Sequence, residues 1–178
     1  FLKGTNGPQY RPLSFFVYQL YSKALFGNQI WLFVAFGISY ILISSYLIFK
    51  ILKLQGVNKF LAFLGSFLFL IHPMHLTLLD NALIPKYPLP AIILLLGVYI
   101  CSRSKILNYK NVFCLTILQA ISIMIHEGAI TFSTIWLLTL IYFIPLKDLT
   151  DKYKKIWVMF IPCFIYLIIR VGVYSIPT

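Results

Sequence analysis

The sequence predicts an all-α polytopic membrane helical bundle of about six transmembrane helices, and three observations predict it. Of the 178 residues, 61% are hydrophobic and the mean hydropathy is +0.91, which is more apolar sequence than a soluble core of this length uses. The apolar residues come in runs near the roughly 20 residues that a helix needs to cross a hydrocarbon core about 30 Å thick. Charge is sparse and one-sided, with 15 Lys+Arg against 4 Asp+Glu and a formal net charge of +11. The basic residues gather in short clusters between the apolar runs, as they do in cytoplasmic membrane loops. That placement makes nucleic-acid binding the weaker explanation of the charge, so no nucleic-acid partner is expected.

Residues 1–29 are too polar to span, with Lys3, Gly4, Asn6, Gly7, Pro8, Gln9 and Arg11 preceding Pro12. Beyond the proline, Phe16, Val17, Leu20, Ala24 and Leu25 recur near a helical period among interface-favouring Tyr and Phe. Residues 1–29 are therefore predicted to be an external membrane-surface segment, part of a first external loop. Residues 30–178 form the transmembrane region of the same single domain. Its first segment, Ile30 to Phe49, carries no charge and is followed by Lys50, Lys53 and Lys59. The second starts at Phe60 and runs through Phe63, Phe67 and Phe69 to His72-Pro73, with continuation past the kink to Leu79 left open. The third, Leu89 to Cys101, starts late because Pro85, Pro88 and Pro90 discourage helix before it. The fourth is Val112 to Ile125, meeting His126-Glu127-Gly128. The fifth covers Ala129 to Leu146 and the sixth Ile156 to about Tyr174, with Arg170 near its end. Short segments point to tilted, partly immersed or broken helices that line a cavity. No internal repeat and no nucleotide-binding glycine loop is present. The chain opens on Phe1 without the basic-then-apolar order of a signal peptide, and it reads as a piece of a longer protein.

Taking the connections alternately, one side holds Lys50, Lys53, Lys59, Arg103, Lys105, Lys110, Lys147, Lys152, Lys154 and Lys155, ten of the 15 basic residues. That side is predicted to be cytoplasmic. The other receives the amino-terminal segment, the connection from His72 to Lys86, the His126-Glu127 junction and the Arg170 end. Among the acids only Asp80 and Glu127 fall there, sharing one external face with His72, His75, His126, Lys86 and Arg170. Cys101, Cys114 and Cys163 are odd in number and widely separated in apolar surroundings, which suggests packed or lipid-facing thiols rather than a disulfide framework or a zinc site.

Polar groups beside bilayer-length segments are candidates for function. Ile71-His72-Pro73-Met74-His75-Leu76 puts two imidazoles and a helix-breaking proline where a helix meets water. If helix continued past Pro73 the imidazoles would share a face. A two-His site for a divalent cation has no third ligand of convincing spacing, so no metal ligand is assigned. The favoured reading is capping of the helix end and bonding to loop carbonyls; the functional one is contact with a phosphate or a sugar. Asp80 is the best acid for an acceptor or metal contact, and it equally fits a loop cap or a pair with Lys86. Lys86 and Tyr87 stand among prolines in a stiffened loop within reach of a phosphate or sugar. Glu127 precedes Gly128 at a helix entrance, where a carboxylate satisfies free amides; that structural role is the favoured one. For Arg170 a bidentate phosphate grip and a snorkelling interfacial arginine stand level.

The order of motifs resembles the GT-C membrane glycosyltransferases, and most closely the O-mannosyltransferases with transmembrane and tetratricopeptide-repeat regions and their microbial relatives. The likeness rests on Tyr10-Arg11-Pro12-Leu13 before an amphipathic helix, Phe69-Leu70-Ile71-His72-Pro73-Met74-His75 closing a helix, His126-Glu127-Gly128-Ala129-Ile130-Thr131 opening another, and Ile169-Arg170 in a later one. His126 departs from the family's usual lysine, so any charge from that position depends on pH. The resemblance implies transfer of a sugar from a polyprenyl-phosphate donor to a protein or glycan acceptor on the external face, with inversion. It implies substrate contacts at Arg170, His75, His72, Asp80, Lys86, Glu127 and Arg11, the last bracing the first external loop with Tyr10. The family's catalytic acid lies upstream of the Tyr-Arg-Pro-Leu segment, and no acid occurs between Phe1 and Leu79; the acid is therefore expected before Phe1, and this stretch alone is expected to be inactive. A plasma membrane is implied for a microbe and the endoplasmic reticulum for a eukaryote. The rivals are a transporter, built from the same broken helices and external charges, and a structural membrane subunit.

Overall fold

A computed structural model of the chain describes residues 13, 16, 30–73, 75, 88–104, 108–144 and 153–174. Among these residues the fold is all-α, with no strand. Helix α1 is Ile30–Leu54, α2 Lys59–Leu70, α3 Pro88–Arg103, α4 Tyr109–Ile125 and α5 Phe132–Phe143, entered through a 3-10 turn at Glu127–Thr131. A four-residue helix α6, Tyr153–Ile156, leads through a second 3-10 turn, Trp157–Phe160, into α7, Ile161–Tyr174. The stretch Val34–Leu54, 21 residues, is long and apolar enough to cross a membrane, and the remaining apolar helices among the described residues run 10–17 residues. The expected external segment lies outside the described residues except for Leu13, which is helical and packs on the main core, and Phe16, which is helical and exposed.

Local chemistry accounts for several of the helix ends. Helix α1 stops at Gly56, whose φ of 81° is left-handed. The Gly56 amide donates to Lys53 O (3.2 Å) and the Val57 amide to Leu52 O (3.1 Å), the paired bonds of a Schellman motif in which glycine avoids the Cβ penalty. Asn58 then caps α2, its side chain accepting from the Phe60 amide at 2.9 Å. Helix α2 ends at Leu70 rather than running to Leu79, because Pro73 has no N–H to give the Phe69 carbonyl. Helix α3 opens on Pro88 with Pro90 in its first turn, where amides lack helical partners in any case. Asn108 caps α4 by accepting from the Asn111 amide at 2.8 Å, and Asn111 Nδ2 donates to Ser104 Oγ at 2.6 Å, joining the end of α3 to the start of α4.

The fifth and sixth segments are each broken, where continuous helices were expected from Ala129 and Ile156. His126 is extended (φ −148°, ψ 124°), ends α4 by donating its amide to Ser122 O, and starts the 3-10 turn. Near α7 the cause is Pro162. It cannot donate to Val158 O four residues back, and the Ile161 amide donates there instead, tightening Trp157–Phe160 to 3-10.

Among the described residues, two buried clusters hold the helices together. The larger includes Ile93 and Cys101 of α3, Leu115 and Ile125 of α4, Trp136 and Leu140 of α5, and Met159. Within it Trp136 packs directly on Gly97. The indole is fully buried, its Nε1 donates to Leu94 O at 3.0 Å, and a Cβ at Gly97 would overlap the ring. The smaller cluster joins Ile123 of α4, Ala129 of the 3-10 turn, and Cys163 and Tyr166 of α7. Beside it a polar seam repairs the broken helix: Gln119 Nε2 donates to Ala129 O (2.8 Å) and to Cys163 Sγ (3.3 Å), while the thiol donates to Ile130 O (3.6 Å). Between α1 and α2, Ser45 Oγ donates to Ser66 O at 2.8 Å. Cys101 and Cys163 are buried and Cys114 is exposed.

Candidate functional site

Glu127 and Arg170 are 43 positions apart in the chain and meet because α7 packs along α4, whose end leads directly into the 3-10 turn that carries Glu127. Cys163 sits level with Ile130, so Arg170, two turns further along α7, arrives at Glu127. Arg170 Nη1 donates to Glu127 Oε2 at 2.7 Å and to the Tyr166 hydroxyl oxygen at 3.3 Å. The Tyr166 hydroxyl donates in turn to Glu127 Oε2 at 3.5 Å. Among the described residues, Arg170 Nε and Nη2 have no partner. One corner of the guanidinium is therefore held and the parallel N–H pair of the opposite edge is open, the geometry that grips a phosphate or carboxylate bidentately. The Arg170 side chain is 52% exposed and that of Glu127 27%. An ion pair this accessible contributes about 0–1 kcal/mol to stability, so its worth as a structural staple is small. What it does well is aim the arginine.

Glu127 stands in the first turn of the 3-10 helix, where a negative charge complements the helix dipole as expected, but the side chain that takes up a free amide there is its neighbour's. The group that caps the 3-10 turn is His126, whose Nδ1 accepts from the Gly128 amide at 3.0 Å. Glu127, one residue on, points its carboxylate to Arg170.

Sequence reasoning missed Tyr166. It lies four residues before Arg170, hence on the same helical face, and is 7% exposed among Ile123, Ala129 and Cys163. That spacing was the available signal. Tyr166→Phe is expected to keep the ring packed and lose only the hydroxyl's two hydrogen bonds, lowering stability by about 1 kcal/mol in thermal unfolding of the purified protein.

His72, Pro73 and His75 form a second cluster at the end of α2. The Phe69 carbonyl, deprived of a donor by Pro73, accepts from the His72 amide at 3.2 Å and from His75 Nε2 at 2.6 Å. His75 stands edge-on to Phe69 with ring centroids 4.8 Å apart, and 6.3 Å from the His72 ring. His75 bonds a carbonyl of the last turn of α2 rather than a loop carbonyl, which places it at the helix end as the capping reading expects. Among the described residues no three His, Cys, Asp or Glu side chains come together as a metal site, and the His75 nitrogen nearest a carbonyl is already engaged. Asp80, Lys86 and Arg11 lie outside the described residues.

No protein-family model, curated protein or solved structure matches the chain.

Proposed function

We propose that the chain is part of an integral, multi-pass membrane glycosyltransferase that moves a sugar from a polyprenyl-phosphate donor to a protein or glycan acceptor on the external face. The observation that carries this reading is the open Nε–Nη2 edge of Arg170, steadied at Nη1 by Glu127 and Tyr166. In the transfer, the acceptor oxygen forms a bond to the anomeric carbon as the bond from that carbon to the phosphate oxygen breaks. The acceptor proton goes to a carboxylate, and the polyprenyl phosphate departs with the bonding pair. Arg170 supplies two donors to the phosphate as its charge grows, and such preset donors lower the barrier more than mobile ones. Glu127 is occupied in holding the arginine, so it is not assigned the proton; the resemblance gives that role to an acid outside these residues.

The multi-pass reading draws support from the apolar surface. Phe60, Phe63 and Leu68 on α2, Phe113 on α4, Leu138 on α5, and Phe164 and Ile168 on α7 are all more than half exposed. Soluble monomers rarely leave so much large apolar side chain in water, whereas short tilted spans expose it to lipid.

The test is sugar transfer in membranes carrying the natural full-length protein, with radiolabelled polyprenyl-phosphate sugars as donors. Transfer by the wild type that disappears in Arg170→Ala, with expression and insertion intact, is the expected result. Transfer retained in the variant would remove Arg170 from the site. No transfer from any donor would favour a transporter or a structural subunit.

A further inference from the structure

We propose that His126 is an acid-sensitive latch on the Glu127–Arg170 pair: its neutral imidazole holds the turn that carries Glu127, and uptake of a second proton releases it. One contact fixes the charge state. The Gly128 backbone N–H donates to His126 Nδ1 at 3.0 Å. A backbone amide nitrogen only donates, so Nδ1 offers a lone pair and the ring is neutral. The approach is close enough to need a glycine, because a Cβ at position 128 would stand 2.9 Å from Nδ1.

This bond lies where the chain changes direction. The His126 amide closes α4 on Ser122 O at 2.8 Å, and the His126 carbonyl opens the 3-10 turn by accepting from the Ala129 amide at 3.0 Å. Glu127 stands between these anchors, so the conformation of the turn directs its carboxylate, which in turn holds Arg170 Nη1 at 2.7 Å. A protonated Nδ1 sets an N–H against the Gly128 N–H, and two donors cannot share the bond. The half-buried ring then swings away, and the exposed Gly128 is left with the freedom of an uncapped glycine. The new cation also stands one residue from the Glu127 carboxylate and competes with Arg170 for it. Among the described residues, the other titratable and charged groups facing the turn are Glu127 itself and Cys163, Tyr166 and Arg170 of α7. Helices α4 and α5 carry theirs at Tyr109, Lys110, Cys114 and Tyr142, about three turns or more away along the chain. Imidazole is the one side chain of these types that ordinarily titrates between about pH 5 and 8. The latch does not rest on the transferase reading.

The natural full-length protein in phosphatidylcholine nanodiscs would be compared with its His126→Asn and His126→Ala variants at about pH 7.5 and about pH 5, where a carboxylate beside a guanidinium stays ionised. Hydrogen exchange of the Gly128 amide is read by mass spectrometry with residue-level fragmentation. Exchange of the Arg170 guanidinium N–H groups is read by NMR of 15N-arginine-labelled protein, their resonances being those missing from Arg170→Lys. Asparagine caps through an oxygen that does not titrate, so each rate is divided by that of His126→Asn at the same pH, which cancels the intrinsic effect of pH on exchange. The Gly128 ratio is expected to be near one at the higher pH and about fivefold greater at the lower, with the Arg170 ratio rising in step. His126→Ala, without a cap, is expected to exchange about fivefold faster than His126→Asn at both. A Gly128 ratio that does not change with pH overturns the proposal, as does one that rises while the Arg170 ratio stays constant. A wild type already matching His126→Ala at the higher pH overturns it too, since no cap would exist. Should His126→Asn not fold, the alanine variant alone decides: the wild type is expected to exchange more slowly at the higher pH and equally fast at the lower, and a difference that persists at the lower pH overturns the latch.

Discussion

Gly97→Ala is expected to destabilise the protein by about 2 kcal/mol, although the same exchange in an ordinary helix interior stabilises by roughly 0.5–1 kcal/mol. Two effects compete, and packing wins. The added methyl would lie inside the Trp136 indole, which is fully buried and bonded to Leu94 O. Moving the ring forfeits that bond, worth about 1 kcal/mol, and forces repacking at a cost of about 1–3 kcal/mol. Trp136→Leu frees the space, so a Gly97→Ala, Trp136→Leu double variant is expected to lose about 1–2 kcal/mol less than the sum of the single variants. The check is a denaturant titration of the four purified proteins in detergent. A Gly97→Ala protein as stable as the wild type would mean that the indole does not rest on α3.

For a transferase of the proposed kind, Arg170→Lys is expected to lower sugar transfer by about a hundredfold, or about 2.7 kcal/mol of transition-state stabilisation. Lysine keeps the charge and can still reach Glu127, but it presents a point charge in place of a fork. With one ammonium it cannot hold the carboxylate and grip a phosphate edge-on together. A snorkelling arginine, by contrast, exchanges for lysine almost freely, since only charge and reach matter at a headgroup. Steady-state transfer rates for the two proteins therefore separate the readings: equal rates leave Arg170 an interfacial anchor.

Helix positions were readable in the sequence wherever a local signal sets them. The charge-free run from Ile30 and the late, proline-led start of α3 lie close to expectation, while α4 starts three residues before the expected Val112 because Asn108 caps it. The breaks at Glu127–Thr131 and Trp157–Phe160 were not foreseen, because each depends on which carbonyl a single residue fails to serve. Glu127 shows the same limit at the site. Local capping rules favoured the amides beside it, and a guanidinium 43 positions away holds it instead. His75 was readable in kind, as a bond to a carbonyl, while the identity of that carbonyl follows from the donor that Pro73 lacks. Trp136 on Gly97 and Gln119 at Ala129 left no local trace, since partners chosen by tertiary packing impose no spacing on the chain.

The polar seam between α4, the 3-10 turn and α7 acts as a mechanical detent. Two aliphatic helix faces can glide by one turn, about 5.4 Å, and exchange one set of contacts for another of similar energy. Here such a glide of α7 would part Cys163 from Gln119 and Ile130 in the same movement that parts Arg170 from Glu127. Ala129 O would keep its bond from Gln119, and Ile130 O would be left to the Ser133 hydroxyl at 3.5 Å. Sliding of α7 is thereby opposed at two levels at once, by the thiol contacts of the seam and by the ion pair at the arginine end.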